Sequence, residues 1–317
     1  MEMTVCANCS HVLDEQAHYC PVCGTKVGLK AERGDPLLGK TLGGKYRVLQ
    51  KLGAGSMGTV YLGEHIGLKK KVALKILHPE LQVTDEALQR FQREGIAAGQ
   101  FNHQNAIQIF DFDREGRICY LAMEYVEGRT LREVIQDGRA LDVRAAIDFA
   151  LQLLRVLAEA HRHGIVHRDL KPDNMMIMES ATGERVLKVL DFGLSKLLGR
   201  PLGASMQTQV GRIVGTPLYM APEQGEGEAV DHRSDLYAVG VILYEMLAGE
   251  PPFRAGSLAE ILLKHKTEPV PSVSASHPGG RIPPDLEAIV ERALAKRREH
   301  RFQSAAEMMH ALEDVLA

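Results

Sequence analysis

The sequence predicts an α+β fold of two lobes, preceded by a small cysteine-rich module. Short strand-like runs fill the first part of the main domain, and amphipathic helical periodicity dominates the second part. Four of the five cysteines lie within the first 23 residues. We therefore expect a small five-stranded β lobe that carries one helix, followed by a larger, mainly α-helical lobe.

Composition divides the chain into three segments. Residues 1–26 form the cysteine-rich module, and residues 27–44, rich in glycine and mixed charges, predict a linker. Residues 45–317 show continuous globular patterning. Within this last segment, we expect residues 45–126 to form the small lobe and residues 127–317 the large lobe.

The small lobe is predicted from apolar, β-branched and aromatic runs between turn residues. The five predicted strands are Tyr46–Leu52, Thr59–Leu62, Lys71–Leu77, Ala106–Asp111 and Ile118–Tyr125. A helix is predicted over Asp85–Phe101. In the large lobe, the predicted helices are Leu141–His163, with Asp142 as N-cap, Asp235–Ala248 and Leu286–Ala295.

Charge and hydropathy exclude several classes of protein. The formal net charge of -3 gives no attraction to nucleic acid or to an anionic membrane. No run reaches the roughly 18 uncharged apolar residues that a membrane helix needs. The best candidate, Val239–Leu247, is interrupted by Glu245. No secretory signal is visible, and clustered cysteines of this kind are typical of metal sites in a reducing compartment, so we expect a cytoplasmic protein.

A glycine-rich run lies between the first two predicted strands. Its pattern is G-x-G-x-x-G-x-V, with residues Gly53, Ala54, Gly55, Ser56, Met57, Gly58 and Val60. Glycines let backbone N–H groups approach phosphate oxygens. The run is followed by a strand, whereas a dinucleotide-binding fold would need a helix there. A plain hairpin turn remains the alternative.

Lys75 lies inside the apolar strand Lys71–Leu77. A buried ammonium group is unfavourable unless it is paired, so we expect a carboxylate and a phosphate beside it. Glu94, on the following helix, is the predicted carboxylate. Alternatively, Lys75 is an edge-strand charge and Glu94 belongs to a solvated helix face.

The most informative motif is His167–Asn174, which contains Asp169, Lys171 and Asn174. A phosphoryl-transfer site needs a carboxylate that accepts the hydroxyl proton, a cation for the transferred group and oxygen ligands for Mg²⁺. Asp191-Phe-Gly and Ala221-Pro-Glu follow in order. Together these motifs resemble the eukaryotic-type protein kinase family, and its bacterial serine/threonine branch in particular.

The resemblance covers about residues 46–316 and implies the two-lobed protein kinase fold. It also implies ATP, Mg²⁺ or Mn²⁺ as cofactors, and protein substrates. Asp169 would be the catalytic base, Lys171 would steady the γ-phosphate, and Asn174 and Asp191 would bind Mg²⁺. The remaining ATP-binding residues implied are Leu52, Val60, Ala73, Lys75, Met123, Glu124, Val126 and Met176, together with the glycine-rich run.

Other positions gain roles from the same resemblance. Thr216 would position the substrate hydroxyl, Asp235 would hold the catalytic loop, and Arg301 would pair with Glu223. The segment between Asp191 and Glu223 has a polar, glycine-rich centre and predicts a site of activating autophosphorylation, first at Thr208 and second at Ser205. Both could instead be plain solvated loop residues.

Three other functions compete with this interpretation. A pseudokinase scaffold would bind partners without catalysis, but such chains usually lack one of the residues found here as Lys75, Asp169 and Asp191. A zinc-ribbon nucleic-acid adaptor is disfavoured by the charge balance. A small-molecule kinase is disfavoured by Thr216 and by the Ala-Pro-Glu motif.

The N-terminal cysteines form two C-x2-C pairs separated by ten residues, Cys6 with Cys9 and Cys20 with Cys23. Each pair can direct two thiolates at one ion, which predicts a tetrahedral structural Zn²⁺ site resembling a zinc ribbon. So short a segment cannot build a hydrophobic core, so the metal would supply most of its folding energy. A redox dithiol pair is the alternative.

We predict about one equivalent of zinc per chain by elemental analysis of the purified protein. The variant Cys20→Ser/Cys23→Ser removes half of the predicted ligands and should lose this zinc. Cys119→Ser, outside the module, is the matched control and should retain it. Stoichiometric zinc in the double variant would contradict the assignment.

Overall fold

The computed structural model describes residues 35–55, 58–78, 101–138, 140–180, 182–190, 217–280 and 282–317. These residues form an antiparallel sheet lobe followed by a helical lobe, as the sequence predicts. The cysteine-rich module and nearly all of the helix predicted over 85–101 lie outside the described residues.

The small lobe is a six-stranded antiparallel sheet in the order β1-β2-β3-β4-β6-β5. Its strands are β1 (Thr41–Leu42), β2 (Tyr46–Ala54), β3 (Gly58–His65), β4 (Lys70–Leu77), β5 (Ile109–Glu115) and β6 (Ile118–Glu124). The sequence predicts five of these strands, and their observed bounds differ from the predicted ones by up to four residues. Strand β1 is the sixth.

Strand β1 corrects the prediction that residues 27–44 serve only as a linker. Leu42 is buried in the core of the sheet, and Asp35 Oδ2 accepts a hydrogen bond of 2.7 Å from the Tyr61 hydroxyl. Gly43 has φ +55°, and a Cβ there would overlap the Tyr120 hydroxyl. The segment 27–44 has the composition of a linker, but these contacts join residues 35–44 to the small lobe.

The two faces of the sheet bury different clusters. One face packs Val48, Leu74 and Tyr120 together with Leu42. The other buries Cys119 beside Leu77 and Leu121. Cys119 is therefore a buried apolar residue, as the sequence predicts, and burial raises the pKa of its thiol.

The large lobe contains a three-stranded sheet and most of the helices. Its strands are β7 (Arg129–Thr130), β8 (Met175–Glu179) and β9 (Arg185–Val189). Its described α-helices are α1 (Leu131–Gly138), α2 (Val143–Arg162), α3 (Pro222–Gly225), α4 (His232–Ala248), α5 (Leu258–Thr267), α6 (Val273–Ser276), α7 (Pro284–Ala293) and α8 (Ala305–Leu316). Asp142 caps α2 by accepting a hydrogen bond from the Ala145 N–H, which confirms the predicted cap.

Helix α4 lies at the centre of the large lobe. Every residue from Ser234 to Ala248 is buried, because α2, α7 and their neighbours pack around it. It begins three residues before the predicted Asp235, because Asp231 caps its N-terminus by accepting from the Arg233 N–H. Within the described ranges, no helix is both long and apolar enough to cross a membrane.

Backbone and side-chain bonds join the two lobes on one side. The Ile107 N–H donates to the Val189 carbonyl at 3.0 Å, and the Val189 N–H donates to the Asn105 carbonyl at 2.8 Å. Near the end of β6, the Lys188 ammonium lies 2.9 Å from the Glu124 carboxylate. These contacts tie β9 of the large lobe to β6 and to the segment that precedes β5.

A buried ion pair connects α3 to the segment that precedes α8 in the large lobe. Arg301 donates two hydrogen bonds to Glu223, at 2.8 and 2.9 Å, and both side chains are at least 95% buried. Arg301 also donates to the Ala295 carbonyl, and Ser234 donates to Glu223. Burial by itself would raise the pKa of Glu223, but the bonds from Arg301 and Ser234 outweigh it and lower that pKa.

We predict that Arg301→Met lowers the free energy of unfolding by about 3–5 kcal/mol at neutral pH, because it leaves a buried carboxylate without its cation. In the native protein, the stabilisation from Glu223 is present at neutral pH and is lost as the pH falls through its lowered pKa. In the variant, burial raises the pKa of Glu223, so the deficit should shrink towards about pH 4. Denaturant melts across this pH range measure it.

The matched control is Arg297→Met, because the Arg297 side chain is 75% exposed. It should change the free energy of unfolding little at any pH. A deficit in Arg301→Met that did not vary with pH would assign the loss to the backbone carbonyls that Arg301 also binds, and not to Glu223.

Candidate active site

Three residues of the motif His167–Asn174 come together in one turn. The Lys171 ammonium lies 3.1 Å from Asp169 Oδ2, and Asn174 Nδ2 donates to the same oxygen at 3.2 Å. Asn174 Nδ2 also donates to the Asp169 backbone carbonyl at 3.0 Å. The Asp169 side chain is 45% exposed, so an incoming group can reach it. The turn thus presents a carboxylate, a cation and an amide at one place.

Asp235, at the buried N-terminal end of α4, anchors this turn from below. Its two carboxylate oxygens accept the backbone N–H groups of His167 and Arg168, each at 2.9 Å. His161, on α2, holds the carboxylate through a third contact of 2.8 Å. Arg168 has φ +69°, a strained conformation for a residue with a side chain, and the bonds to Asp235 stabilise it. The predicted position of Asp235 is confirmed.

Strand register brings four of the predicted ATP-binding residues onto one face of the small lobe. Lys75 of β4 is the direct partner of Val60 on β3, and Ala73 of β4 is the direct partner of Met123 on β6. Direct antiparallel partners share a face, and so do residues two apart on one strand. The Lys75 side chain is buried to 7% exposure on this face.

The glycine-rich run forms the end of the β2–β3 hairpin. Gly53 pairs with Val60, Ala54 pairs with Thr59, and the Gly55 N–H donates to the Gly58 carbonyl at 2.8 Å. A Cβ at Gly58 would overlap the Ile76 carbonyl of β4, so a glycine is needed there for packing alone. Leu52, at the same end of β2, is 44% exposed.

The predicted ATP-binding residues Met123, Glu124 and Val126 lie where the two lobes meet, and we call this segment the hinge. Met123 and Val126 are each 8% exposed, and the Glu124 N–H donates to the Gln108 carbonyl at 2.8 Å. Met176 of β8 is the direct partner of Lys188 on β9, whose ammonium contacts Glu124. Met176 is therefore on the side of the large lobe that adjoins the hinge.

Several predicted site residues lie outside the described residues, and their roles stay predictions. They are the catalytic and metal candidates Glu94 and Asp191, the loop residues Ser56 and Met57, the positioning residue Thr216, the phosphorylation candidates Thr208 and Ser205, and the zinc candidates Cys6, Cys9, Cys20 and Cys23. In the described part of the chain, no cluster of His, Cys, Asp and Glu side chains could hold a metal ion.

The sequence analysis missed one cluster beside the catalytic turn. Arg132 of α1 donates to Glu245 of α4, to Asp173 and to the Tyr219 hydroxyl. A signal for it was present, since Glu245 is a carboxylate inside the apolar run Val239–Leu247. A buried carboxylate requires a partner, but the sequence does not reveal which distant residue supplies it.

Known proteins resemble this chain along most of its length. The profile of the protein kinase domain family matches residues 46–312. The serine/threonine-protein kinase Pkn1 of Myxococcus xanthus is 42% identical over 286 residues, which cover 90% of this chain and 40% of that protein. The serine/threonine-protein kinase PrkC of Bacillus subtilis is 37% identical over 272 residues, which cover 86% of this chain and 40% of that protein.

Solved structures agree with these relatives. The crystal structure of the Mycobacterium tuberculosis PknI kinase domain is 29% identical, with a TM-score of 0.67, and the match covers 87% of this chain and 98% of that one. The chain spans about 40% of the length of the two curated relatives named above. On this sequence, fold and turn geometry, the chain belongs to the protein kinase family.

Proposed function

We propose that the protein transfers the γ-phosphate of ATP to serine and threonine hydroxyls of protein substrates. The observation that carries this proposal is the turn in which Lys171 and Asn174 both contact the Asp169 carboxylate while Asp235 holds its backbone. Phosphoryl transfer requires mainly positioning and charge stabilisation, which a rigid turn of this kind supplies. The names of its relatives Pkn1 and PrkC support a serine/threonine kinase.

Within the turn, each side chain has a distinct role in this proposal. The exposed carboxylate of Asp169 orients the acceptor hydroxyl and accepts its proton. Lys171, 3.1 Å from that carboxylate, contacts the transferred phosphoryl group. The polar network fixes both side chains before substrate arrives, so little reorganisation is needed during the reaction.

The residues present fit a divalent cation at Asn174. Both bonds from its amide to Asp169 come from Nδ2, so Oδ1 remains as an oxygen ligand of the type that Mg²⁺ or Mn²⁺ prefers. Asp191, by its motif, would supply the carboxylate ligand. When bound, the metal would neutralise phosphate charge.

The nucleotide would lie against the face of the small lobe that carries Val60, Ala73, Lys75 and Met123. Lys75 would contact the α- and β-phosphates and pair with Glu94. The Glu124 N–H is already bonded to Gln108, so adenine would be recognised by the Glu124 carbonyl and by Val126. Leu52 and Met176 would cover the two sides of the adenine ring.

The N-terminal module is part of the same proposal. Residues 1–26 would form a zinc ribbon with Cys6, Cys9, Cys20 and Cys23 as ligands, separate from the kinase domain. Its paired cysteine spacing supports this assignment. Cysteine usage also supports a cytoplasmic location.

We predict that Asp169→Asn lowers kcat for peptide phosphorylation by about 10²–10⁴-fold, because the amide cannot accept the hydroxyl proton. Nucleotide affinity should stay nearly unchanged, since Asp169 does not face the phosphates in this proposal. Single-turnover transfer from radiolabelled ATP and a fluorescent-nucleotide titration measure the two quantities. The control Asp137→Asn makes the same change at an exposed side chain of α1 and should leave both unchanged.

Asp191→Asn should instead weaken binding of Mg²⁺-ATP together with turnover. Substantial peptide phosphorylation by Asp169→Asn would refute the assignment of the base. Loss of nucleotide affinity in Asp169→Asn, with Asp191→Asn unaffected, would reverse the two roles.

We also propose that the kinase is switched on by phosphorylation of Thr208, or of Ser205 in second place. Within the described part of the chain, Arg168 Nε is a buried donor without a hydrogen-bond partner, directly before Asp169. A phosphate adds about -1.5 to -2 charges and can accept one to three charge-assisted hydrogen bonds. Arg168 is thus suited to bind a phosphorylated residue and to couple it to the catalytic turn.

We predict that Thr208→Ala/Ser205→Ala lowers kcat towards an added substrate at least about tenfold, because the ordering contact to Arg168 is lost. Mass spectrometry after incubation with Mg²⁺-ATP should find phosphate on Thr208 or Ser205 in the protein that carries no substitution. The control Thr182→Ala changes a threonine of the exposed β8–β9 turn and should have no effect. Full activity of the double variant would rule out the switch, whatever phosphate the spectra contain.

A further inference from the structure

A polar cluster of four residues lies beside the catalytic turn and joins four separate segments of the large lobe. It consists of Arg132 on α1, Asp173 in the catalytic turn, Tyr219 in the turn Pro217–Tyr219, and Glu245 on α4. We name these four residues the Arg132 cluster. Its chemistry is that of a cation held between two carboxylates and a hydroxyl.

The inner half of the Arg132 cluster is buried. Glu245 is 2% exposed and receives one hydrogen bond from Arg132 and another, of 2.5 Å, from the Tyr219 hydroxyl. Burial raises the pKa of Tyr219, and the negative charge of Glu245 raises it further, so the hydroxyl stays a donor. Glu245 is therefore a buried carboxylate whose compensating charge comes from Arg132.

The outer half of the cluster reaches the surface beside the catalytic turn. Arg132 Nη2 donates to Asp173 Oδ2 at 3.2 Å, and the Asp173 side chain is 52% exposed. Asp173 lies between Lys171 and Asn174 in the turn that presents the catalytic groups. In the proposed function, a peptide whose hydroxyl reaches Asp169 would run close to Asp173 and to the Arg132 side chain, which is 21% exposed.

We propose that Arg132 is a specificity-determining residue that fills the carboxylate site of Asp173 and Glu245 from within the protein. A basic side chain in the part of the substrate that crosses this site then does not raise kcat/KM. The inference rests on the proposed function and names a property of its substrates: the acceptor segment is selected without a preference for arginine at this site.

The charges and geometry of the cluster support this role. Two carboxylates beside a peptide path would attract a guanidinium, since Arg binds carboxylates in a bidentate, charge-assisted way. Arg132 already donates one hydrogen bond to each carboxylate, from Nη1 to Glu245 and from Nη2 to Asp173. A cation needed only to neutralise the buried Glu245 would not have to reach the exposed Asp173. Because Arg132 reaches the exposed Asp173, the site that it occupies opens on the surface where a substrate would bind.

The experiment compares acceptor peptides that differ in one residue. A set of Ser/Thr peptides carries either arginine or alanine at one flanking position at a time, and the ratio of kcat/KM values is measured at each position. The native protein should give a ratio near one at the positions that cross the cluster. In Arg132→Ala, the ratio at one or two adjacent positions should rise about tenfold, because a peptide arginine can then take the place of Arg132 beside Asp173 and Glu245.

Matched variants separate this effect from simple destabilisation. Arg129→Ala removes an arginine that pairs with the exposed Asp137, outside the cluster, and should leave every ratio unchanged. Arg132→Lys retains a cation and should leave the ratios close to one. Arg132→Ala/Glu245→Gln removes the buried unpaired carboxylate and so protects the fold, and its ratio should rise less, because only Asp173 remains charged.

Three results would overturn the proposal. The first is unchanged ratios in folded Arg132→Ala, or in the double variant if the single one does not fold. The second is a native protein that already prefers arginine about tenfold at a position that Arg132→Ala leaves unaltered. The third is an equal shift in Arg129→Ala. Failure of the native protein to phosphorylate any of the peptides would count instead against the proposed function, so the two failures are distinguishable.

Discussion

Helix α4 is the constraint on which the rest of the site depends. It is buried from Ser234 to Ala248, so each of its polar side chains must find a partner inside the lobe. Asp235 binds the backbone of the catalytic loop, Ser234 binds Glu223, and Glu245 binds Arg132. Three other segments of the large lobe are thereby fixed to α4. Because these groups are buried, leaving any of them unpaired would be strongly unfavourable, so each one holds its partner in a unique position.

The small lobe positions its residues by a different principle. Its face is set by antiparallel register, in which Lys75 lies opposite Val60 and Ala73 lies opposite Met123. A slip of one residue would turn every one of these side chains to the other face. The extra strand β1, with Leu42 buried and Asp35 bonded to Tyr61, fixes the edge next to β2. Precision in this lobe therefore comes from the pairing of strands, whereas in the large lobe it comes from buried polar anchors.

The two principles meet at the hinge. Lys188 of β9 contacts Glu124 at the end of β6, and the Val189 backbone accepts a hydrogen bond from Ile107 and donates one to Asn105. The Arg132 cluster lies beyond this junction, next to Asp173, so the residues that would read the protein substrate are held by the large lobe. In the proposed function, catalytic positioning and substrate choice would share α4 as a common support, through Asp235 at one end and Glu245 at the other.

The sequence by itself determined the two-lobe class, the five predicted strands, the three predicted helices of the large lobe, and the local motif that contains Asp169, Lys171 and Asn174. These features are local, because periodicity, capping by Asp142 and residues a few positions apart depend on nearby chain. Only the tertiary structure decided that residues 35–44 join the sheet and that Glu245 pairs with Arg132, 113 residues away. A long-range partner is chosen by packing, since many charged residues could satisfy Glu245 and the pattern names none of them.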